Sequence, residues 1–362
     1  MEKRLSQCRG CLLGLAVGDA MGHTVDAKTW EEIQEDYGPN GLLGYDLVNG
    51  CAAASAYTQV AAFVSNGLLL GVSRGKEHYL RYISLSLREW ARAQHFPRDP
   101  EKSWCWVAKV PQMRGRKSKD SRMLDALRLE TVGTMEKPVN RASSTGSLPG
   151  AVVVGLACNN RGMERKLAPM LGAQTVALTH GNVETFLCGS VLAECIASIL
   201  EDRTISLQQH FEKAVETMHT QFAEQFEQAG ELAESLRDVI RKLDGSEENP
   251  QEVMEHLACD TAQQCLAAAM YACLTCQGDF DSAMIISVNH SGRSAGVASL
   301  TGAILGAYLG AEALPDFYLE CLEPAGVLEV LASDLALCSP TSGLFDDDWD
   351  HKYVQGMPVG NL

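Results

Sequence analysis

The sequence is poor in positive charge and in uninterrupted apolar runs. Lysine and arginine number 30 against 46 aspartate and glutamate residues, which gives a formal net charge of −16. Such a field repels nucleic acid and anionic membranes, so we expect neither as a partner. No uninterrupted apolar run is long enough to span a bilayer. The apolar stretch at 11–20 is not followed by a small-residue cleavage site, and we interpret it as the opening helix of the fold.

Paired cysteine spacings and alternating strand patterns are also scarce. The thirteen cysteines are odd in number and scattered, most of them in apolar helical contexts. This pattern indicates core thiols in a reducing compartment rather than a disulfide framework, so we expect a cytoplasmic protein. The only strong β-branched run, at 151–157, lies between helical neighbours. Because 46% of the residues are apolar, the chain can still form a large core.

Helical periodicity is what the sequence does contain. Apolar residues recur at spacings of three and four from Phe211 to Phe226, which predicts an amphipathic helix that Gly230 loosens or ends. The segment 261–310 is apolar almost all round and rich in small residues, which predicts central helices in close contact. We find no internal repeat or linker. The sequence therefore predicts one all-α domain over 1–362, with an irregular tail at 339–362.

Three segments combine glycine with polar residues inside apolar helical stretches: Arg9–Gly22 followed by Asp26, Ser55–Ala61, and Asn289–Gly296. Polar residues at such junctions are usually caps or site residues. Together with the loop around Gly146, Thr179–His180–Gly181 and the closing segment at 300–310, these segments resemble the ADP-ribosylglycohydrolase family, which includes the dinitrogenase reductase-activating glycohydrolases. The resemblance implies an orthogonal bundle of α-helices.

The chain departs from the family in its metal-binding motifs. In the family, two carboxylate-rich stretches together bind two magnesium ions. Here the first reads Ser55–Ala56–Tyr57–Thr58 and the second is Asn289–Gly296 with Arg293 and no carboxylate. Magnesium requires oxygen ligands anchored by carboxylates, and an arginine repels a cation beside it. We therefore expect no metal cofactor and the loss of metal-dependent activity. Pro149–Gly150 also replaces the usual Met-Arg of the middle loop.

The candidate site residues follow from the family positions that remain and from the chemistry of the replacements. The candidates for catalysis are Asp26 and Asp19, and those for ligand binding are Arg293, Asn289, Ser294, Thr58, Tyr57, Gly146, Ser147 and His180. Structural roles remain open for several of them: Asp19 as a buried helix cap, Thr58 as a capping hydroxyl and His180 as a core histidine. Arg293 suits phosphate, or it pairs with Asp19 or Asp26 and closes the pocket.

Three functions remain open at this point. The first is a degenerate family member that binds ADP-ribose, an ADP-ribosylated protein or another phosphate-bearing small molecule. The second is a metal-independent glycosidic hydrolase that uses Asp26 as its general base. The third is a non-catalytic scaffold in which the ring of Tyr57 fills the pocket. The basic stretch at 114–122 is interpreted as a solvated loop, with attraction of an anionic ligand or partner as the alternative.

Overall fold

The fold consists of packed α-helices, as the periodicity predicts. In the computed structural model we describe residues 2–74, 78–96, 99–159, 163–242, 249–276, 278–338 and 347–354. These residues form seventeen α-helices and several short 3-10 turns, without a β-strand among them. The prediction of an all-α bundle is therefore confirmed, and the β-branched run at 151–157 belongs to a buried helix.

The α-helices follow one another along the chain as α1 (Glu2–Val25), α2 (Trp30–Tyr37), α3 (Ala56–Arg74), α4 (Tyr79–His95), α5 (Ser121–Arg128), α6 (Leu148–Ala157), α7 (Ala168–Ala177), α8 (Val183–Glu201), α9 (Leu207–Phe222), α10 (Gln228–Lys242), α11 (Pro250–His256), α12 (Ala262–Thr275), α13 (Phe280–Val288), α14 (Ser294–Leu309), α15 (Asp316–Cys321), α16 (Ala325–Leu337) and α17 (Asp347–Tyr353).

The central contact of the bundle is the antiparallel packing of α1 against α14. A Cβ atom on Gly14 would overlap the backbone of Gly302, and one on Gly18 would overlap the carbonyl of Ala298. Glycine is required at these positions because the two backbones are in direct contact. This packing fixes the C-terminal end of α1 beside the N-terminal end of α14, where most of the candidate site residues lie.

Helix α8 is long and apolar enough to cross a membrane by length and composition alone. It lies in the core instead, where 83% of its most apolar window is buried.

All thirteen cysteines are free thiols and ten of them are buried, as expected for cysteines that act as small core hydrophobes.

Two local predictions are wrong. Gly230 lies inside α10, and the break in the amphipathic stretch falls at 223–227. The turn places the Phe226 ring 5.1 Å from that of Phe186 on α8, a tertiary contact that local periodicity does not contain. The expected irregular tail includes α17, whose Trp349 and Tyr353 are buried. Residues 339–346 and 355–362 lie outside the described part.

Candidate functional site

A cavity of about 410 Å³ opens where the N-terminal ends of α3, α5 and α14 meet the end of α1. Its lining combines basic, acidic and hydroxyl side chains. The lining residues that matter for its chemistry are His23, Asp26, Ser55, Tyr57, Lys117, Lys119, Asp120, Arg122, Ser144, Thr145, Gly146, Asp260 and Arg293. Four of these are lysine or arginine and three are aspartate, a local balance opposite in sign to that of the whole chain.

Asp19 is a buried cap of helix α3. Its carboxylate accepts hydrogen bonds from the backbone N–H and the hydroxyl of both Ser55 and Thr58, at 2.5–2.9 Å. A carboxylate at this position satisfies the first amides of a helix and complements its dipole. Asp19 and Thr58 are both fully buried and neither lines the cavity. The structure shows the capping role for Asp19, whereas the Thr58 hydroxyl does not cap the helix but donates to the Asp19 carboxylate.

Asp26 and Arg293 face each other across the rim of the cavity. The Asp26 carboxylate accepts the backbone N–H of Ala295 at 3.3 Å and lies 4.0 Å from the Arg293 guanidinium. Burial raises the pKa of Asp26, and the positive charges of Arg293 and Lys119 only partly oppose this effect. Asp26 thus caps α14 and also presents a titratable carboxylate to the cavity.

Arg293 does not close the pocket. Its second ion pair is with Asp260, at 3.5 Å, and its side chain remains 43% exposed. Asp19, the other partner considered from the sequence, is bound to α3 instead. A long, exposed ion pair contributes little stability, so the guanidinium can exchange its partners for a stronger anion.

Tyr57 lines the cavity without filling it. The Tyr57 hydroxyl lies 2.5 Å from the Thr145 hydroxyl. A Cβ atom on Gly296 would lie 3.1 Å from the Tyr57 hydroxyl. Burial is the main cause that raises the pKa of Tyr57 well above its usual value, so its hydroxyl stays neutral. The tyrosine therefore forms part of the floor, and Gly146 continues that floor toward Asp120.

The basic stretch at 114–122 is part of the site. The Gln59 side chain donates to the carbonyls of Met113, Arg114 and Gly115, while the Gln94 amide oxygen accepts the N–H groups of Lys117 and Ser118. Both glutamines are buried, so they hold the loop in one conformation. The interpretation of this stretch as merely solvated was wrong, since its Lys117, Lys119 and Arg122 line the cavity.

Asp120 and Ser144 form one wall of the cavity, and both are hydrogen-bonded to His180, which does not line it. The Ser144 hydroxyl lies 2.8 Å from His180 Nε2 and donates to Asp120 Oδ2 at 2.6 Å, while His180 Nε2 lies 3.2 Å from the same oxygen. Burial opposes ionisation of Asp120, but the bonds from His180, Ser144 and the Met123 N–H outweigh it and lower its pKa. His180 itself is fully buried behind the wall.

Three further candidates do not line the cavity. The Asn289 amide exchanges hydrogen bonds with the backbone of Leu42 at 2.8 and 2.9 Å, which attaches the segment after α2 to α13. Ser294 is buried and its hydroxyl reaches the His290 carbonyl at 3.4 Å. Ser147 is buried at the start of α6. Asn289 and Ser294 thus form hydrogen bonds within the fold, and none of the three residues lines the cavity.

The residues that sequence reasoning missed are Lys117, Lys119, Arg122 and Asp120. The signal was available, because a basic cluster on a chain with a net charge of −16 is anomalous. The position of this loop was not available from the sequence, because tertiary contacts such as those of Gln59 and Gln94 place it at the cavity.

The residues present do not fit a pair of magnesium ions. The hydroxyls of Ser55 and Thr58 are bonded to Asp19, and that of Tyr57 is bonded to Thr145. The remaining charged group at the second motif is Arg293, which repels cations. Across the described ranges, no cluster of three or more histidine, cysteine, aspartate or glutamate side chains offers a metal site.

Comparison with known proteins agrees with this fold. The family model for ADP-ribosylglycohydrolase matches residues 1–343, so the chain belongs to the ADP-ribosylglycohydrolase family. No curated protein sequence gives a significant match. Among solved structures, the chain is similar to one titled "ADP-ribosylglycohydrolase-related protein complex", with 21% identity and a TM-score of 0.60. That match covers 94% of this chain and 100% of the other, and at this identity it shows the fold alone.

Proposed function

We propose that this chain binds ADP-ribose or a related phosphate-bearing small molecule, free or attached to a protein, without metal-assisted hydrolysis. The observation that carries the proposal is the set of four basic side chains, Lys117, Lys119, Arg122 and Arg293, around one cavity of a strongly acidic protein. Arginine and lysine at such a cavity attract phosphate, and arginine can contact it in bidentate fashion.

The arrangement of the carboxylates supports this proposal. Asp19 caps α3, Asp26 accepts an amide of α14, and Asp120 caps α5 through the Met123 N–H. Of the three aspartates that line the cavity, Asp26 and Asp120 are thus engaged by helix ends, and Asp260 pairs with Arg293. The basic side chains Lys119 and Arg122 are exposed and extend from the loop that Gln94 holds. An anionic ligand would therefore meet more available positive than negative charge.

Calorimetric titration with ADP-ribose, in magnesium and again in EDTA, tests the proposal. We expect the same Kd in both buffers, because the proposed contacts involve no metal. Adenosine, which lacks the phosphates, should bind much more weakly. Binding that requires magnesium would contradict our account of the donor set, and failure to bind in either buffer would favour a scaffold function.

The second candidate function is metal-independent hydrolysis of a glycosidic bond. The observation that favours it is the raised pKa of Asp26, which makes this carboxylate a stronger base where it faces the cavity. Arg293 beside it would stabilise developing negative charge. Turnover of an ADP-ribosylated substrate that persists in EDTA and disappears in Asp26→Asn would support this candidate, whereas equal turnover in the variant would exclude Asp26 as the base.

The scaffold hypothesis depended on Tyr57 closing the pocket. Because Tyr57 lines a cavity of about 410 Å³, this hypothesis gains no support.

As part of the proposal, we infer a cytoplasmic location from the thirteen free thiols, which suit a reducing compartment. The net charge of −16 argues against nucleic acid or an anionic membrane as partner.

A further inference from the structure

A second cavity, of about 600 Å³, opens between α4, α7 and the loop at 130–136. It shares no lining residue with the cavity described above. Small-molecule sites are clefts of about 300–1,000 Å³ with mostly apolar walls and a few polar groups that orient the ligand. The second cavity therefore has the size of a small-molecule site, and its chemistry is set by other residues than those of the first.

Two helix faces supply most of the lining. On α4, Leu80, Ser84 and Arg88 recur at intervals of four residues, so they lie on one face of the helix. Gln174 on α7 and Leu178, directly after that helix, have the same spacing. Each face thus combines an apolar and a polar side chain on the cavity.

The loop at 130–136 forms the third side and is held against the end of α7. A Cβ atom on Gly133 would lie 2.5 Å from the Ala177 carbonyl oxygen, so the loop backbone is in direct contact with the helix. The Thr134 N–H donates to the Lys137 carbonyl at 3.2 Å, and the Lys137 N–H donates to the Thr134 hydroxyl at 3.0 Å. These bonds close a turn, so the wall of the cavity is preformed.

Arg88 is the half-buried positive charge of this cavity. Its guanidinium donates to the Glu130 carbonyl at 3.2 Å, and within the described ranges no carboxylate pairs with it. Burial lowers the pKa of Arg88, and the like charge of Arg92 adds to this effect. A partly buried charge without a counter-ion is unfavourable. An anion bound in the cavity would therefore be stabilised by this guanidinium.

Two neutral polar groups accompany Arg88. Ser84 is buried and Gln174 is half-buried, and neither side chain forms a hydrogen bond with another residue of the described part of the chain. Both side chains line the cavity, together with the buried apolar side chains of Met135 and Leu178. The hydroxyl and the amide are thus available to a ligand whose body contacts the apolar wall.

The carboxylates of the cavity limit the charge of the ligand. Glu130 and Glu136 also line it, and both are exposed. They would repel a doubly charged phosphate more strongly than a single negative charge. A carboxylate carries one charge and matches the guanidinium in bidentate fashion.

We propose that the second cavity binds a small molecule with an apolar body and one carboxylate, which contacts Arg88. The apolar body lies against Met135 and Leu178, between α4 and α7. Because the two cavities have no lining residue in common, the inference holds whether or not ADP-ribose binds in the first.

The test is isothermal titration of the full chain with sodium octanoate, and with octan-1-ol as the uncharged probe of the same length. We expect octanoate to bind and octan-1-ol to bind about tenfold more weakly, because it lacks the hydrogen bond between charged groups. Arg88→Ala should weaken octanoate binding about tenfold and leave that of octan-1-ol unchanged. Arg241→Ala, which removes the same charge from α10 outside this lining, is the control.

A second variant tests the cavity without removing a charge. Val132 lines the cavity and is 38% exposed, so Val132→Trp should fold and should weaken both probes by occupying the space. Val330→Trp is the matched control, because Val330 is 41% exposed on α16 and does not line the cavity. Each variant is checked for an unchanged unfolding midpoint.

Four results would overturn the proposal. The first is no octanoate binding at millimolar concentration. The second is equal affinity for octanoate and octan-1-ol, which would remove the role of Arg88. The third is octanoate binding that Arg88→Ala leaves unchanged and Arg293→Ala abolishes, which would place the probe in the first cavity. The fourth is unchanged binding of both probes in Val132→Trp.

Discussion

Arg293→Ala should weaken ADP-ribose binding in the absence of metal. Arg293 is placed at the start of α14 by the packing of α1 against that helix, and its guanidinium faces the cavity near Asp26. The substitution removes one of the four positive charges that line the cavity. No buried hydrogen bond of this side chain holds the fold together, so the variant should fold normally.

The size of the effect follows from the exposure of the side chain. A hydrogen bond between charged groups is worth about 1.5–3 kcal/mol. Because Arg293 is 43% exposed, the lower end applies, and about 1.5 kcal/mol corresponds to roughly a tenfold increase in Kd. Asp260→Asn should act in the opposite direction, since it removes a competing partner 3.5 Å from the guanidinium. Exposed pairs are worth at most about 1 kcal/mol, so its gain should not exceed roughly fivefold.

The assay is isothermal titration with ADP-ribose in EDTA, with each variant checked for an unchanged unfolding midpoint. Arg241→Ala is the matched control, because it removes the same charge from an exposed ion pair on α10 outside the cavity lining. We expect it to leave Kd within about twofold of the original protein, since exposed charges are screened. An unchanged Kd in Arg293→Ala, or equal weakening by Arg241→Ala, would refute the reasoning.

Three further predictions concern stability. Asp19→Ala should lower the free energy of unfolding by about 3 kcal/mol in urea denaturation, because four buried donors lose their acceptor; a loss below about 1 kcal/mol would contradict its role as the cap. The pKa of Asp120 is lower in the folded protein than in the unfolded chain, so its ionised carboxylate stabilises the folded state. This stabilisation is complete above the unfolded-state pKa and disappears as the pH falls toward the folded-state pKa. The stability gap between the original protein and Asp120→Asn should therefore narrow on acidification below about pH 4, and a constant gap would exclude the linkage. Gly18→Ala should lower the free energy of unfolding in urea by about 1–3 kcal/mol or more. Gly230→Ala, in an open helix position, should raise it by about 0.5–1 kcal/mol in the same urea denaturation.

The pH dependence of binding provides a separate check on Asp26. Its folded pKa is raised, so it gains a proton at a higher pH than a free aspartate does. Protonation removes a negative charge beside Arg293, and ADP-ribose affinity should therefore rise as the pH is lowered through that pKa. In Asp26→Asn this rise should be absent, whereas the same pH profile in both proteins would show that another group titrates.

The sequence contained the information for the helices and for the loss of the metal ligands. The small residues of the segment 261–310 predicted close helix contact, and the structure shows the backbone of α14 against that of α1. The sequence could not place the end of α9, because the contact of Phe226 with Phe186 joins residues forty positions apart. It also missed α17, whose burial depends on Asp334, bonded to both Lys352 and Tyr353.

At the candidate site, the sequence shows which residue types are present. The role of each residue depends on its tertiary contacts. The resemblance implies that Ala56, Tyr57, Arg293 and Ala295 stand where the family has metal-binding carboxylates. This loss can be predicted without a structure, because metal ligation depends on residue type. Whether Asp19 or Asp26 meets the cavity cannot be read in this way. Asp19 lies within α1 and Asp26 directly follows it, and only the packing of α3 and α14 buries Asp19 and leaves Asp26 facing the cavity.

The amino-acid sequence by itself therefore determined the all-α class, the family and the absence of the family's metal carboxylates, because periodicity and residue type are local properties. The tertiary structure alone decided that the basic loop joins the cavity, that Asp19 is a cap, and that Asn289 attaches a loop instead of facing a ligand. These outcomes depend on hydrogen bonds between residues far apart in the chain, which only the packed fold brings together.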